Sequence, residues 1–310
     1  MAFASGSRHG LSYVAENTFG ETPSSPELTP LRHNSTTLGV EKETLESEEI
    51  RSDRQHVDVR HGTRSGSGDI VSHLAYESLD DLIEAALAGT WDTESDTIPG
   101  KLKAGTTRRS FTIQREFADI GRFQVFRGCE VNTMALSVEP NSMVNLTFGM
   151  WAKDMEQKGT AITGSTTGTA NTASPVDTFS GTITEGGSEI AIVTSLEMNL
   201  ENGLEARNRV GSKTSAEPSI GRSNLTGTLT AYFESDALLA KFLNETESSI
   251  SVELLDLNGD GYKITLPRIK YNTGRADVDG EGDITIPLEF RALRDATEES
   301  QIVIERVEAA

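Results

Sequence analysis

The residues with the plainest chemical potential are Asp256, Asn258 and Asp260, which stand two apart and are followed by Gly261. That spacing is the first half of a calcium loop, in which alternate oxygen ligands wrap one cation. The full loop needs a bidentate Glu at its twelfth position, and here that position is Pro267. The flanks read as strands, so a hairpin turn on Asn258-Gly259 or Asp260-Gly261 explains the same letters. A second acidic stretch, residues 275–283, carries Asp277, Asp279, Glu281 and Asp283. Such a stretch can attract calcium, but crowded carboxylates in a solvated loop between strands are the simpler reading. His56, Asp58 and His61 lie close together, with His73 further on. In a strand His56 and Asp58 share a face while His61 points the other way, a poor geometry for a metal. No G-x-S-x-G surrounds any serine, and GTRSGSGD at 62–69 lacks the lysine of a phosphate-binding loop. Cys129 is the single cysteine, which excludes an internal disulfide and a multi-cysteine zinc site. No catalytic residue, metal site or cofactor is therefore expected, and the chain does not read as an enzyme.

The elements that would carry these residues are mostly strands. Of 310 residues only 6% are aromatic, while Gly occurs 28 times and Ser and Thr recur throughout, which suits short strands joined by turns. The net charge of -20 is the opposite of what a nucleic-acid-wrapping surface needs. It fits either plain solubility or a surface that stays near DNA without adhering to it. The opening MAFASGSRHG has no apolar core of a secretion signal, and no run approaches the roughly 20 apolar residues of a membrane span. Synthesis in a reducing cytoplasm and no membrane association are expected.

Along the chain, residues 1–34 read as an extended N-terminal arm with at most one short strand, punctuated by PSSPELTP. Residues 38–74 read as a long, mostly polar hairpin that projects from the core, with GTRSGSG as its flexible tip and Val57, Val59, Ile70 and Leu74 as apolar positions. Such a hairpin carries too little apolar surface to stand alone. A helix is expected at Ser78–Leu87, where Leu79, Leu82, Ile83, Ala86 and Leu87 form one stripe. Ser78 suits its N-cap and Gly89 its stop. Alternating segments follow from Gly100 onward, interrupted by a Ser/Thr/Gly-rich surface loop at 159–180 and a short helix at about 237–243. Residues 294–310 read as a C-terminal arm, and the whole of 1–310 as a single domain.

Three stretches, taken in order, carry a family resemblance. They are SGSGDIVSHLAYESLDDLIEAALAG, PVDTFSGTITEGGSEIAIVTSLEMNLENGL, and the run from GRSNLTGTLTAYF to DITIPLEFRAL with Gly227, Leu266-Pro267, Phe290 and Ala292. In this order the chain resembles the tail tube proteins of long-tailed bacteriophages over nearly its whole length. The resemblance implies a mainly β fold: an antiparallel β-sandwich or barrel with one flanking α-helix and a long projecting β-hairpin. It further implies hexameric rings stacked into a tube, an acidic conduit for DNA ejection in the virion tail, assembled from subunits made in the host cytoplasm. Chain length and the Ser/Thr-rich insertion favour the flexible tail of a siphophage over a contractile one. Implied partners are copies of itself, a tape-measure protein, a tail terminator and distal tail proteins, with genomic DNA passing unbound. Glu41, Glu43, Glu46, Glu48 and Glu49 on the hairpin are the candidate lumen or inter-subunit residues. The competing reading is a calcium-dependent decorating or adhesive β-sandwich that uses the 256–260 and 277–283 loops.

Overall fold

Burial with a period of two marks the strands: every second side chain is buried in Asn145–Ala152 and Thr285–Ala292, and from Leu196 onward in Val193–Glu201. The computed structural model describes residues 3–56, 58–92, 100–278 and 280–309. The chain is mainly β, with 50% of it in strands and 7% in helix. It opens with β1 (His9–Ala15), β2 (Glu27–Pro30), β3 (Ser35–Thr36), β4 (Gly39–Glu46) and β5 (Val59–His73). Helix α1 (Asp80–Leu87) comes next, then β6 (Lys101–Lys103), β7 (Phe111–Phe117) and β8 (Arg122–Val138). After β9 (Asn145–Ala152) and β10 (Asp154–Lys158) come β11 (Thr166–Thr167), β12 (Thr182–Glu185) and β13 (Ser188–Glu189). β14 (Val193–Glu201), β15 (Glu205–Arg207), β16 (Ala216–Ser219) and β17 (Asn224–Tyr232) follow. Helix α2 (Ala237–Leu243) precedes β18 (Ser248–Leu255), β19 (Gly261–Tyr271), β20 (Thr285–Ala292) and β21 (Val303–Val307).

Seven strands form the first layer, in the order β4–β5–β9–β8–β14–β17–β20, each pair antiparallel. β19 crosses from this layer to a second one. Its residues 269–271 pair with β20, while 261–265 pair with β21 on one side and β18 on the other. β6 and β12 extend the second layer. β8 is shared too: its N-terminal half leaves the first layer to pair with β7 and β10, with β1 and β2 beyond. Met134, Leu136, Leu146, Met198 and Leu225 of the first layer face Tyr262, Ile264 and Ile304 of the second, with Ile83 of α1 between them. Each fully buried side chain of this kind contributes about 1.5–3 kcal/mol. The arrangement is that of a β-sandwich, and among the described residues the sheet does not close into a barrel.

Local features depart from the sequence expectations for physical reasons. The β4–β5 hairpin exists, in register from Gly39↔Ser67 to Glu46↔Val59, but its tip is residues 47–58. GTRSGSG lies inside β5. Its small residues allow close strand approach rather than a turn: a Cβ on Gly66 would stand 2.9 Å from that of Ala152. Gly68 has φ +143°, and a Cβ there would lie 2.6 Å from the Leu38 Cα. Val57 falls outside the described residues. The N-terminal stretch holds two strands instead of at most one, and β1 pairs with β7 along its full length. Residues 303–307 form a strand between β19 and β6, with Ile302, Val303 and Ile304 buried, so this part of the C-terminal stretch belongs to the core. The short second helix stands where it was expected, at Ala237–Leu243. α1 begins at Asp80 with Leu79 in the N-cap position, and its stop is Ala88 in the left-handed region at φ 47°.

Replacing Gly68 with alanine should lower stability by about 2 kcal/mol in urea or thermal unfolding, because the side chain meets backbone and the φ is unfavourable. Gly62→Ala, whose new Cβ would meet only the Glu43 and Leu45 side chains, should cost less than about 1 kcal/mol. Equal small losses at both positions would contradict the in-strand placement.

Candidate functional site

The first layer has two unlike faces, one buried and one outward and polar. Register aligns its residues in rows across the strands. One row runs Val71, Thr147, Ala135, Asn199, Thr226 and Arg291. The next runs His73, Asn145, Ser137, Glu197, Thr228 and Glu289. A third runs Asp69, Gly149, Thr133, Glu201 and Asn224. The face is concave, with a hollow of about 550 Å³ over β8, β14, β17 and β20. Its side chains are short hydroxyls and amides, and its carboxylates (Asp69, Glu197, Glu201, Glu289) outnumber the cations Arg291 and Lys270. Lys270 is paired with Glu247 at 3.7 Å. Such a surface offers hydrogen bonds across an open hollow, and its carboxylates disfavour anions.

The hairpin glutamates divide between faces. Glu41 stands opposite Ser65, on the outward side shared with Ser67 and Asp69, and alternation places Glu43 with it. Glu46 is on the other side, opposite Val59, and Glu48 and Glu49 lie beyond β4 in the tip. The five therefore do not line one surface. The hairpin also carries Lys42, Arg51, Arg54, Arg60 and Arg64, so it is of mixed charge. Sequence reasoning named the run of hairpin glutamates and did not name Glu197, Glu201 and Glu289, which the register places on the outward face. Their signal was the alternation of polar residues in β14, β17 and β20, which names two faces without saying which is outward.

The other sequence candidates are scattered. Asp256 is buried, and its Oδ1 accepts the backbone N–H of Asn258 at 2.7 Å and of Asp260 at 3.1 Å, so it holds the β18–β19 turn. Asp260 accepts the Ala309 N–H at 2.8 Å. In the 275–283 loop Arg275 pairs with Asp277 at 2.6 Å, while Asp279 lies outside the described residues. His56 stands beside Glu46, His61 opposite Thr44 on β4, and His73 beside Asn34. Among the described residues no three His, Cys, Asp or Glu side chains are placed to share a metal ion. Cys129 is fully buried, which pushes its thiol pKa up. No described helix is long and apolar enough to cross a membrane.

A sequence profile of phage tail tube proteins matches residues 6–292. The chain belongs to the phage tail tube protein family. No curated protein matches it significantly. The matched span includes every strand of the polar face, and the family assigns the tail tube protein a structural role in the virion tail.

Two polar clusters anchor the tail tube protein's framework. Asp80, at the start of α1, accepts from the Tyr262 hydroxyl and from the Arg306 guanidinium, whose Nε lies 2.9 Å from Oδ2. Arg306 also sits over the Trp91 ring, 4.4 Å from its centroid. Burial, and then the Asp80 charge, raise the Tyr262 pKa well above the usual phenol range. This explains the helix start: the Asp80 carboxylate is committed to the second layer, not to a cap. The second cluster holds the root of the hairpin. Arg115 Nε donates to His9 Nε2 at 3.1 Å, and Arg115 also donates to the Leu38 carbonyl. With His9 Nε2 an acceptor, its Nδ1–H donates to His33 Nε2 at 2.8 Å, and His33 Nδ1–H to the Leu31 carbonyl at 3.2 Å.

The chain of donors requires the His9 imidazole neutral. Burial, then Arg115 and His33, lower the His9 pKa to about 4. An unfolded histidine titrates near 6.5, so between these values the unfolded chain binds more protons. This contribution to stability is complete above about pH 6.5 and is lost as pH falls toward 4. His9→Gln should flatten that part of the curve in thermal melts compared between about pH 7 and about pH 4. An unaltered slope would assign the acid sensitivity to other groups.

Proposed function

We propose that this tail tube protein is the repeating unit of a hexameric ring, that rings stack into the tail tube, and that the outward face of the first layer lines the DNA conduit. The observation that carries the reading is that face: seven strands wide, concave, short-chained and net acidic. A lining for sliding DNA needs low adhesion, and adhesion to DNA is driven by cations that release phosphate counterions. Carboxylates such as Glu197, Glu201 and Glu289 work against it, and small polar side chains offer no hydrophobic grip.

The sheet also has edges that call for a neighbour. Among the described residues β4 is paired on one side only, by β5. β20 pairs with β17 along its length but with β19 only at residues 290–292, which leaves Thr285–Leu288 open on one side among the described residues. Open edges are aggregation hazards unless another chain completes them. Joining the β4 edge of one subunit to the β20 edge of the next makes a continuous inner sheet. Six copies follow from the family resemblance, as do the tape-measure, terminator and distal tail partners, DNA ejection, and the passage from host cytoplasm to virion. The projecting hairpin, with Leu45 and Val59 half-exposed and Ile50 fully exposed, suits contact with adjacent copies.

Concentrated protein viewed by negative-stain electron microscopy should show rings with a central hole, or tubes. Small monodisperse particles that persist after addition of tail-tip components would refute the reading. The lining is tested by Asn199→Cys, which adds the one reactive thiol because Cys129 is buried. It should react with a thiol reagent too bulky for the lumen in the free subunit and be protected in tubes. Equal labelling in both states would move the face to the exterior.

A further inference from the structure

The two ends of the first layer differ in charge. β14 ends at Glu201 and β17 begins at Asn224, and the excursion between them, residues 203–223, covers that end with the small β15–β16 ladder. It carries Arg207, Arg209, Lys213 and Arg222 against Glu205 and Glu217. The four cations are exposed, and among the described residues none forms an ion pair, whereas Glu217 is tied to Arg108 at 3.1 Å. Arg209 and Lys153 line a surface hollow of about 350 Å³ together with Ser212, Thr214 and Phe19. Val210 beside it is fully exposed. In a chain of net charge -20 this end is a cationic exception. The long hairpin leaves from the same end, and the Arg64 N–H donates to the Lys213 carbonyl at 2.9 Å, so the excursion braces its base.

The opposite end lies nine residues away along β14, roughly 30 Å at strand spacing. There β17 stops at Tyr232 and β20 starts at Thr285. Tyr232, Phe233 and Ile284 are exposed, and the Phe233 N–H donates to the Ile284 carbonyl at 2.9 Å. Glu234, Asp236, Asp277, Glu281 and Asp283 stand in the segments that flank them, and a hollow of about 260 Å³ opens beside Asp277, Asp283 and Ile284. Among the described residues Glu234, Asp236, Glu281 and Asp283 form no ion pair, and Asp277 has only Arg275.

We propose that the cationic 203–223 excursion of one copy seats on the acidic, apolar Tyr232–Ile284 end of a second copy, giving a charge-keyed head-to-tail contact between stacked rings. The proposal deepens the tube reading and rests on it. Charge complementarity selects the occupant: the chain carries both halves of the match, at opposite ends of the same strands. Seating buries Val210 against Tyr232, Phe233 and Ile284 and gives each cation a carboxylate. Two like ends repel, so a ring stacks in one polarity only. A heterologous contact of this kind propagates without closing, as a tube requires.

The test compares wild type, Arg207→Glu/Arg209→Glu, Asp277→Lys/Asp283→Lys, and the four changes combined. Each set lies at exposed positions, and unchanged melting curves confirm folding. Each charge reversal alone should raise the protein concentration needed for tubes by about tenfold or more while rings still form, since like charges are then juxtaposed across the contact. The combined variant should recover most of the loss, and rising salt should weaken wild-type stacking. Wild-type-like tubes from both single reversals, or no recovery in the combination, overturn the proposal and leave the tube reading intact. Duplex DNA is added as a separate arm: binding abolished by the arginine changes, with stacking unaltered, would assign the excursion to nucleic acid instead. If wild type yields neither rings nor tubes, the tube reading fails first and this contact with it.

Discussion

One-sided burial of a seven-stranded sheet is the constraint on which the rest depends. Each strand of the first layer gives one set of side chains to the core and the other to solvent, and a slip of one residue would exchange them. Leu196, Met198 and Leu200 therefore fix where Glu197, Asn199 and Glu201 stand. The polar face is in this sense a by-product of the core. Its composition is free to vary only within what the other side of the same strand dictates. That coupling also explains why a chain with few aromatics suffices: the core is thin, spread between two layers, and built largely from Leu, Ile, Val and Met.

The second layer is held to the first by covalent continuity as much as by packing. β19 belongs to both layers, and β8 likewise leaves the first layer to pair with β7 and β10, so the junctions are made by single strands that change partners. Register shifts at Val131/Thr133 in β8 and at Ser248/Ile250 in the partner of β19 accommodate the change, as bulges do at sheet corners. The Asp80–Tyr262–Arg306 cluster adds a fixed point between α1 and the second layer. An unpaired carboxylate at that depth would be costly, so the cluster holds together or not at all.

Most of the strands were legible because alternation survives wherever one face is buried. β9, β14, β17, β18 and β20 coincide with segments marked by period two, and α2 with its apolar cluster after Ser235 and Asp236. What failed was the reading of small residues. GTRSGSG has turn composition, yet Gly66 and Gly68 sit where neighbouring strands leave no room for a Cβ, and composition cannot distinguish a bend from a close approach. β1 and residues 303–307 read as arms because their partners β7 and β6 are distant in sequence. The candidate site was half legible. The acidic balance was plain, but that Glu197, Glu201 and Glu289 share the outward face of the first layer needed the strand order.

The pairing of β6 with β21 has a bearing on timing. Lys103 stands opposite Val303, so the two partners are made two hundred residues apart. Loop closure over that span is slow compared with local strand pairing, and the second layer cannot be completed until its last strand exists. A nascent chain could thus lay down β8 and β9, whose contact is local, while the apolar side of that pair still lacks Ile302 and Ile304. Maturation of the subunit is in this way gated by its own synthesis.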